Sequence, residues 1–287
     1  MGRRTTRTPS VRVELTDSGP RLHRRPDTVA VEEPLEIRVD GESLSTTMRT
    51  PGDDFDLALG WLLGERAISD AEAVAAMRHC TDLDESGRPT FNVVEVSLAP
   101  GARLAPGVSA RRSYTSSACG ICGTESIEAV MHGDVPDLHA DDSSVAPEVL
   151  AGLVETMREH QASFDRTGGV HAAALFTADG ELLCLREDIG RHNAVDKVVG
   201  WAAREVGRIG RAPADRTGLP HVLLVSGRAG FELVQKCVVA GIPVMAAVSA
   251  PSSLAVDLAE RASLTLVGFL RPPTFTVYSG QYRLGLG

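Results

Sequence analysis

The sequence is poor in aromatic residues, has almost no lysine and contains no long apolar run. Its 287 residues include 7 Phe, 2 Trp and 3 Tyr, too few to favour an RNA-binding surface built on base stacking. The formal net charge of −9 argues against nonspecific nucleic-acid binding, which depends on excess positive charge. No apolar stretch approaches the roughly 18 residues of a membrane-spanning helix. We therefore expect a protein that binds neither nucleic acid nor membrane.

The cysteine pattern and the export signal of a disulfide-bonded secreted protein are also missing. The 5 cysteines show no framework spacing, and the basic N-terminal segment has no apolar core of the kind found in signal peptides. We therefore predict a cytoplasmic protein with reduced thiols. The thiols are those of Cys80, Cys119, Cys122, Cys184 and Cys237.

Positive charge is distributed unevenly. Residues 1–28 contain seven Arg against Glu14, Asp17 and Asp27, a net charge of +4, which leaves −13 for the remainder. This composition predicts a disordered basic tail over residues 1–28. Of the 29 basic residues only Lys197 and Lys236 are lysines. Because lysine is a compact, tunable point charge, a functional role for each is one hypothesis; a bias of genome composition is the simpler alternative.

Hydrophobic patterning predicts an α/β protein. Residues 29–110 are expected to form a small mixed α+β region, residues 111–145 a loop and a helix, and residues 146–287 an αβα domain. In the last segment a hairpin is followed by alternating helices and nearly continuous apolar strands, which indicates a sheet between two helical layers. The expected elements of the small region are strands at Leu35–Val39, Ser43–Met48 and Phe91–Leu98 and helices after Asp53 and over Ser69–Met77.

A Cys-x-x-Cys motif, Cys119 to Cys122, lies among small residues and is followed by a predicted helix at Glu125–Met131. A helix N-terminus favours the thiolate, which is the nucleophilic form of cysteine. Sulfur carriage, dithiol exchange, a structural zinc site and a pair of plain loop cysteines all remain open. Zinc needs four ligands, and a second Cys-x-x-Cys is lacking, so we expect no structural metal.

Three polar segments at strand-to-helix turns predict an anion-binding sheet edge. The first contains Arg191 and His192, with Lys197 further along the same helix; the second is Ser226-Gly227-Arg228; the third ends in Ser252-Ser253. Small residues at a helix start let a phosphate approach the backbone N–H groups. Turns that follow successive strands meet at one edge of the sheet, so a nucleotide-like ligand is favoured there.

One further motif is similar to the His-x-Glu of zinc deaminases. His171 is followed by Ala172 and Ala173, so the proton-shuttling Glu is replaced by Ala173, and no Pro-Cys-x-x-Cys follows. Deaminase chemistry is therefore not expected, although a deaminase-like scaffold stays open.

Taken together, these motifs resemble the FdhD family of sulfur carriers, which mature formate dehydrogenases. The resemblance extends from about Glu33 to Tyr278. It is carried by Met48–Asp54, Ser117–Gly123, Thr167–Ala173, Glu187–Lys197, Ser226–Lys236 and Gly241–Asp257.

The resemblance implies a sulfurtransferase that accepts persulfide sulfur from a cysteine desulfurase and passes it to the molybdenum bis(molybdopterin guanine dinucleotide) cofactor of formate dehydrogenase. It implies Cys119 as the persulfide carrier, Cys122 as helper, and a C-terminal domain similar to the cytidine deaminase fold. A guanine nucleotide would mimic the cofactor, and a homodimer is compatible with the analogy. The implied cofactor-contacting stretch is Phe269-Leu270-Arg271-Pro272-Pro273-Thr274.

The sequence departs from the family pattern at two places: Pro272-Pro273 offers no backbone N–H, and Gly230 lacks a hydroxyl. The alternative function is a nucleotide-binding dithiol redox or zinc-binding accessory protein that moves no sulfur. A third possible function is that of a cofactor chaperone that transfers no sulfur.

Overall fold

A computed structural model describes residues 3–80, 87, 90–106, 127–128, 130–131, 135–207 and 218–286. Within these ranges the chain forms three sheets, of two, four and six strands. No described helix is long and apolar enough to cross a bilayer. Cys119 and Cys122 lie outside the described residues, as do three of the seven residues of the predicted helix at Glu125–Met131; the other four, Ile127, Glu128, Val130 and Met131, are helical.

The N-terminal segment is a long β-hairpin, so the expectation of a disordered tail over residues 1–28 is wrong. Strand β1 (Thr5–Thr16) pairs with β2 (Gly19–Ala30) in twelve uninterrupted antiparallel pairs. Alternating threonines and valines favour the strands, and Gly19 adopts φ 109° at the turn. The outer half of one face is apolar, since Val13 (53% exposed) lies opposite Leu22 (62% exposed).

The second sheet has the order β4-β3-β6-β5, and helix α1 (Asp54–Gly64) packs on it. Its strands are β3 (Glu33–Val39), β4 (Glu42–Arg49), β5 (Val74–Cys80) and β6 (Val93–Leu98). The predicted helix over Ser69–Met77 is wrong. Asp70 caps only a short 3-10 turn, Ala71–Ala73, after which the chain pairs with the free edge of β6. Tertiary pairing therefore overrides the helical propensity of the alanines.

The third sheet carries the expected α/β domain, with the order β12-β11-β10-β9-β7-β8. Strands β9, β10 and β11 are parallel to one another, whereas β7, β8 and β12 run antiparallel to their neighbours. The bounds are β7 (His171–Phe176), β8 (Leu182–Asp188), β9 (Val222–Val225), β10 (Val244–Ala247), β11 (Thr265–Arg271) and β12 (Thr274–Ser279).

Helices cover both faces of this sheet, which confirms the three-layer prediction. Ala174 points to one core with α2 (Pro147–Glu159), and Leu175 points to the other. Helix α2 ends at Glu159, and after His160 and Gln161 a separate short helix, α3 (Ala162–Thr167), begins. The second face is covered by α4 (Arg191–Glu205), α5 (Phe231–Val239) and α6 (Ser253–Arg261).

Helices α1 and α4 join the four-stranded and six-stranded sheets through two glycines. A Cβ placed on Gly60 would lie 1.8 Å from the carbonyl oxygen of Asp196, and one on Gly200 would lie 1.9 Å from that of Asp56. The helices therefore touch backbone to backbone, at positions where any side chain would force them apart.

Gly60→Ala or Gly200→Ala is expected to lower the free energy of unfolding by about 3 kcal/mol, because overpacking against a backbone carbonyl cannot relax by a rotamer change. Urea denaturation followed by circular dichroism measures this. Gly152→Ala is the matched control, since Gly152 lies in α2 with open space at its Cβ position. There the better helix propensity of alanine should raise stability by up to about 1 kcal/mol. Equal effects at all three sites would contradict the close-contact interpretation.

Candidate functional site

The polar turns of the six-stranded sheet lie at one edge, as predicted. The parallel strands β9, β10 and β11 all end there, and β7 begins there because it runs antiparallel to β9. His171, the first residue of β7, therefore faces the turn after β9: a Cβ on Gly227 would lie 3.5 Å from His171 Nδ1.

Hydrogen bonds hold the turns after β9 and β10 together. Ser226 Oγ accepts from the N–H of Ala172 at 2.9 Å, so this hydroxyl stabilises the turn. The N–H of Ala229 donates to the carbonyl of Ala250 at 3.2 Å, and the N–H of Ser252 donates back to the carbonyl of Ala229 at 3.0 Å. Arg228, between these contacts, is exposed.

The two serines of the third turn have different roles in the structure. Ser252 Oγ accepts from the N–H of Ala255 at 3.3 Å and caps α6. Ser253, the first residue of that helix, is exposed. Ser252 is therefore an N-cap, while Ser253 faces solvent at the same edge.

The stretch from Phe269 to Thr274 joins the same edge as the tip of the β11–β12 hairpin. The N–H of Phe269 donates to the carbonyl of Ser249 at 3.1 Å, and Arg271 Nε donates to the carbonyl of Val248 at 3.2 Å. Phe269 is 43% exposed, whereas Leu270 is fully buried in the core and cannot contact a ligand with its side chain. Pro272, Pro273 and Thr274 are exposed.

The charges of this edge are partly cancelled and partly free. His192 Nε2 lies 2.8 Å from a carboxylate oxygen of Glu232, and this hydrogen bond lowers the pKa of Glu232. Burial lowers the pKa of His171, and the positive charges of Arg191 and His192 lower it further against the opposing effect of Asp188. A neutral His171 can accept a hydrogen bond from a ligand.

Lys197 does not belong to the exposed edge, contrary to the prediction. It is 1% exposed, and its Nζ lies 2.7 Å from Asp188 and 2.9 Å from the carbonyl of Thr50. The other carboxylate oxygen of Asp188 accepts from Gly190 N–H at 2.8 Å and from Asn193 Nδ2 at 3.0 Å. The charge of Lys197 is therefore neutralised inside the protein, and the Lys197–Asp188 pair fixes the turn between β8 and α4.

Lys236, the other lysine, is also structural. Its Nζ lies 2.6 Å from Asp196, and both side chains are buried between α1, α4 and α5. The positive charges left at the edge are those of Arg191, Arg228 and Arg271.

The described thiols differ in accessibility. Burial raises the pKa of Cys184 to about 12 and raises that of Cys237 as well, which leaves both as unreactive thiols. Cys80 is only half-buried. Among the described residues no group of three His, Cys, Asp or Glu side chains is placed to hold a metal ion.

The segment that contains Cys119 and Cys122 is tethered at both described flanks to the turn after α1. Ala105 N–H donates to the carbonyl of Ala67 at 2.9 Å, and Arg66 Nη1 donates to the carbonyl of Val130 at 3.0 Å. This turn lies beside the first half of α5, since Gln235 Nε2 donates to the carbonyl of Gly64.

Sequence reasoning missed two residues of the edge. Nothing in the sequence marks Glu232 as a partner of His192, and the motif that begins at His171 suggests only a comparison with zinc deaminases. Their spacing gives no direct signal, because β7 and α5 approach only through the antiparallel placement of β7 beside β9. The strand-end position of His171, opposite the Ser226–Arg228 turn, was the available clue.

The described domain thus defines a class: an α/β protein with a mixed sheet and a cationic edge where the strands end. The sequence profile of the FdhD/NarQ family matches residues 30–285, and the chain belongs to this family. Relatives named sulfur carrier protein FdhD are 56% identical in Nocardia farcinica, over 95% of this chain and 92% of the relative, and 50% identical in Streptomyces avermitilis, over 100% and 98%.

A solved structure supports the fold. A protein from Desulfotalea psychrophila, assigned as a formate dehydrogenase accessory protein, superposes with a TM-score of 0.70 over 97% of this chain and 99% of that chain, at 23% identity.

Asp188→Asn is expected to lower the free energy of unfolding by about 3–5 kcal/mol, because it leaves the buried Lys197 ammonium without a counter-charge. Chemical denaturation at neutral pH measures this. Asp165→Asn is the matched control: its exposed pair with Arg158 should contribute less than about 1 kcal/mol. A small effect of Asp188→Asn would show that Lys197 is not held by this charge.

Proposed function

We propose that this protein carries sulfur for the maturation of formate dehydrogenase, with Cys119 as the persulfide carrier and Cys122 as a helper or alternative acceptor. The observation that carries the proposal is the match to relatives named sulfur carrier protein FdhD along nearly the whole chain. The burial of Cys184 and Cys237 supports it, because neither thiol is available to a protein donor.

The loading step is a thiol exchange without net oxidation or reduction. The Cys119 thiolate attacks the outer sulfur of a persulfide on a cysteine desulfurase. The new S–S bond forms on Cys119 as the old one breaks, and the donor cysteine leaves as a thiolate. The proposal is supported by the hydrogen bonds that hold the two flanking residues, Ala105 and Val130, at the turn after α1, beside α5, which begins near the cationic edge.

The proposed recipient is the bis(molybdopterin guanine dinucleotide) cofactor, which we treat as cargo. Its diphosphates would contact Arg191, Arg228 and Arg271, whose guanidinium groups suit phosphate oxygens. Exposed Phe269 offers a flat apolar contact for a ring, and neutral His171 offers an acceptor. The partners are then a cysteine desulfurase and formate dehydrogenase, in the cytoplasm, with this chain acting alone or as a homodimer.

Incubation with a cysteine desulfurase and cysteine is expected to add the mass of about one sulfur atom per chain, removable by dithiothreitol. Intact-mass spectrometry measures the gain. Cys119→Ala should abolish it, while Cys80→Ala, which removes the half-buried thiol, should leave it unchanged. Cys122→Ala tests the helper role by the rate of loading.

Retention of the added sulfur in Cys119→Ala would overturn its assignment as carrier. No gain in the native protein, together with stoichiometric bound zinc, would favour the metal-binding alternative. Full support of formate dehydrogenase activity by Cys119→Ala would instead favour a cofactor chaperone.

Guanosine diphosphate is expected to bind the cationic edge, and Arg228→Gln should weaken binding by about tenfold because a charge-assisted phosphate contact is lost. Isothermal titration calorimetry measures the dissociation constant. Arg261→Gln, an equal charge change on an exposed residue of α6, is the matched control. Equal weakening by both variants would show a general charge effect and not a site.

A further inference from the structure

The base of the N-terminal hairpin forms a cleft lined by arginines. One cavity of about 570 Å³ is lined by Arg3, Arg7 and Arg166 together with threonines at positions 5, 6 and 28. A second cavity, about 480 Å³, shares Arg3, Thr5 and Arg166 and extends to His160 and to Glu187 of β8. We call this pair of cavities the arginine cleft. Its size falls within the range of small-molecule sites.

The register of the hairpin explains why the arginines converge. Thr5 and Arg7 lie on one face of β1, Arg3 lies just before the strand, and Arg7 lies opposite Thr28 of β2. Helix α3 packs against β2 at the same base and contributes Arg166 from its last turn. Three arginines and the threonines at positions 5, 6 and 28 thus line one opening.

These three arginines have no counter-charge within the described part of the chain. No carboxylate there forms an ion pair with Arg3, Arg7 or Arg166, although Arg4, their neighbour, pairs with Asp53 at 2.5 Å. Glu187 lines the second cavity, but its two oxygens accept from the N–H groups of Ser163 and Phe164 at 2.7 and 2.8 Å. In a chain of net charge −9, this leaves a concentrated positive charge without an internal anion.

We propose that the arginine cleft binds a diphosphate-bearing small molecule, at a site separate from the cationic edge. A diphosphate carries about three negative charges near neutral pH, which matches three guanidinium groups, whereas a single carboxylate would leave two of them unbalanced. Guanidinium forks bind phosphate oxygens through paired hydrogen bonds, and hydroxyl groups donate to the remaining oxygens. The bound anion would join β1 to α3 and so hold the hairpin against the domain.

The cleft and the cationic edge share no residue, so they can be tested separately. The edge uses the turns after β8, β9, β10 and β11, whereas the cleft is lined by the hairpin, by α3 and by Leu185 and Glu187 within β8. The proposal does not depend on sulfur transfer.

Isothermal titration with inorganic pyrophosphate at fixed ionic strength tests the proposal. Native protein should bind, and the double variant Arg7→Gln/Arg166→Gln should bind at this cleft at least about tenfold more weakly. The matched control, Arg12→Gln/Arg25→Gln, makes the same charge change further along the hairpin, at a cavity that also contains Glu14 and His23; it should change affinity less than twofold. Arg228→Gln identifies any binding that belongs to the edge.

Guanosine diphosphate and triglutamate, titrated in parallel, distinguish the source of the anion. Binding of pyrophosphate alone indicates a free diphosphate; binding of both phosphate compounds, each lost in Arg7→Gln/Arg166→Gln, indicates a nucleotide. Absence of pyrophosphate binding to the cleft, equal loss in the two double variants, loss only in Arg228→Gln, or binding of triglutamate alone would each overturn the proposal. Circular dichroism checks that the variants fold, which is expected because neither Arg7 nor Arg166 forms an ion pair within the described part of the chain.

Discussion

The backbone contact between α1 and α4 is the constraint on which the rest of the structure depends. Gly60 lies against the carbonyl of Asp196, and Gly200 against that of Asp56, so the small sheet and the large sheet meet at a distance that permits no side chain. This distance brings Thr50 to Asp188 and the end of α1 to α5. A small separation of the two helices would open both of these contacts at once.

The close approach of the helices explains why the two lysines occur where they do. Each neutralises a buried carboxylate beside α4, Lys197 that of Asp188 and Lys236 that of Asp196. A planar guanidinium needs partners for five N–H donors, whereas an ammonium needs only three and fits a narrow space. In a chain that uses arginine almost everywhere else, lysine is therefore retained for packing, and the hypothesis of a direct functional role for each is not supported by their burial.

The sequence was a good guide where burial sets the pattern and a poor one where long-range pairing does. The strands from β7 to β11 are apolar because helices cover both faces, and this pattern is what predicts the αβα domain over residues 146–287. The N-terminal hairpin is not predicted because the positive charge of residues 1–28 resembles that of a disordered segment. Strand β5 is not predicted because its alanines favour a helix. The sequence predicts the turns that form the site. It does not predict that Asp188 and Glu232 cancel positive charges there, because each of these ion pairs joins two separate elements of the fold.

Charge cancellation inside the domain determines what kind of ligand the cationic edge can select. If Lys197 and His192 were both free, the edge would be a broad positive surface that attracts any anion. Asp188 and Glu232 remove those charges and leave Arg191, Arg228 and Arg271 around His171 and Phe269, a set in which guanidinium forks impose direction and the neutral ring adds no charge. A ligand of the kind proposed would then be selected by the spacing of its phosphates and by its flat apolar part, more than by its total charge.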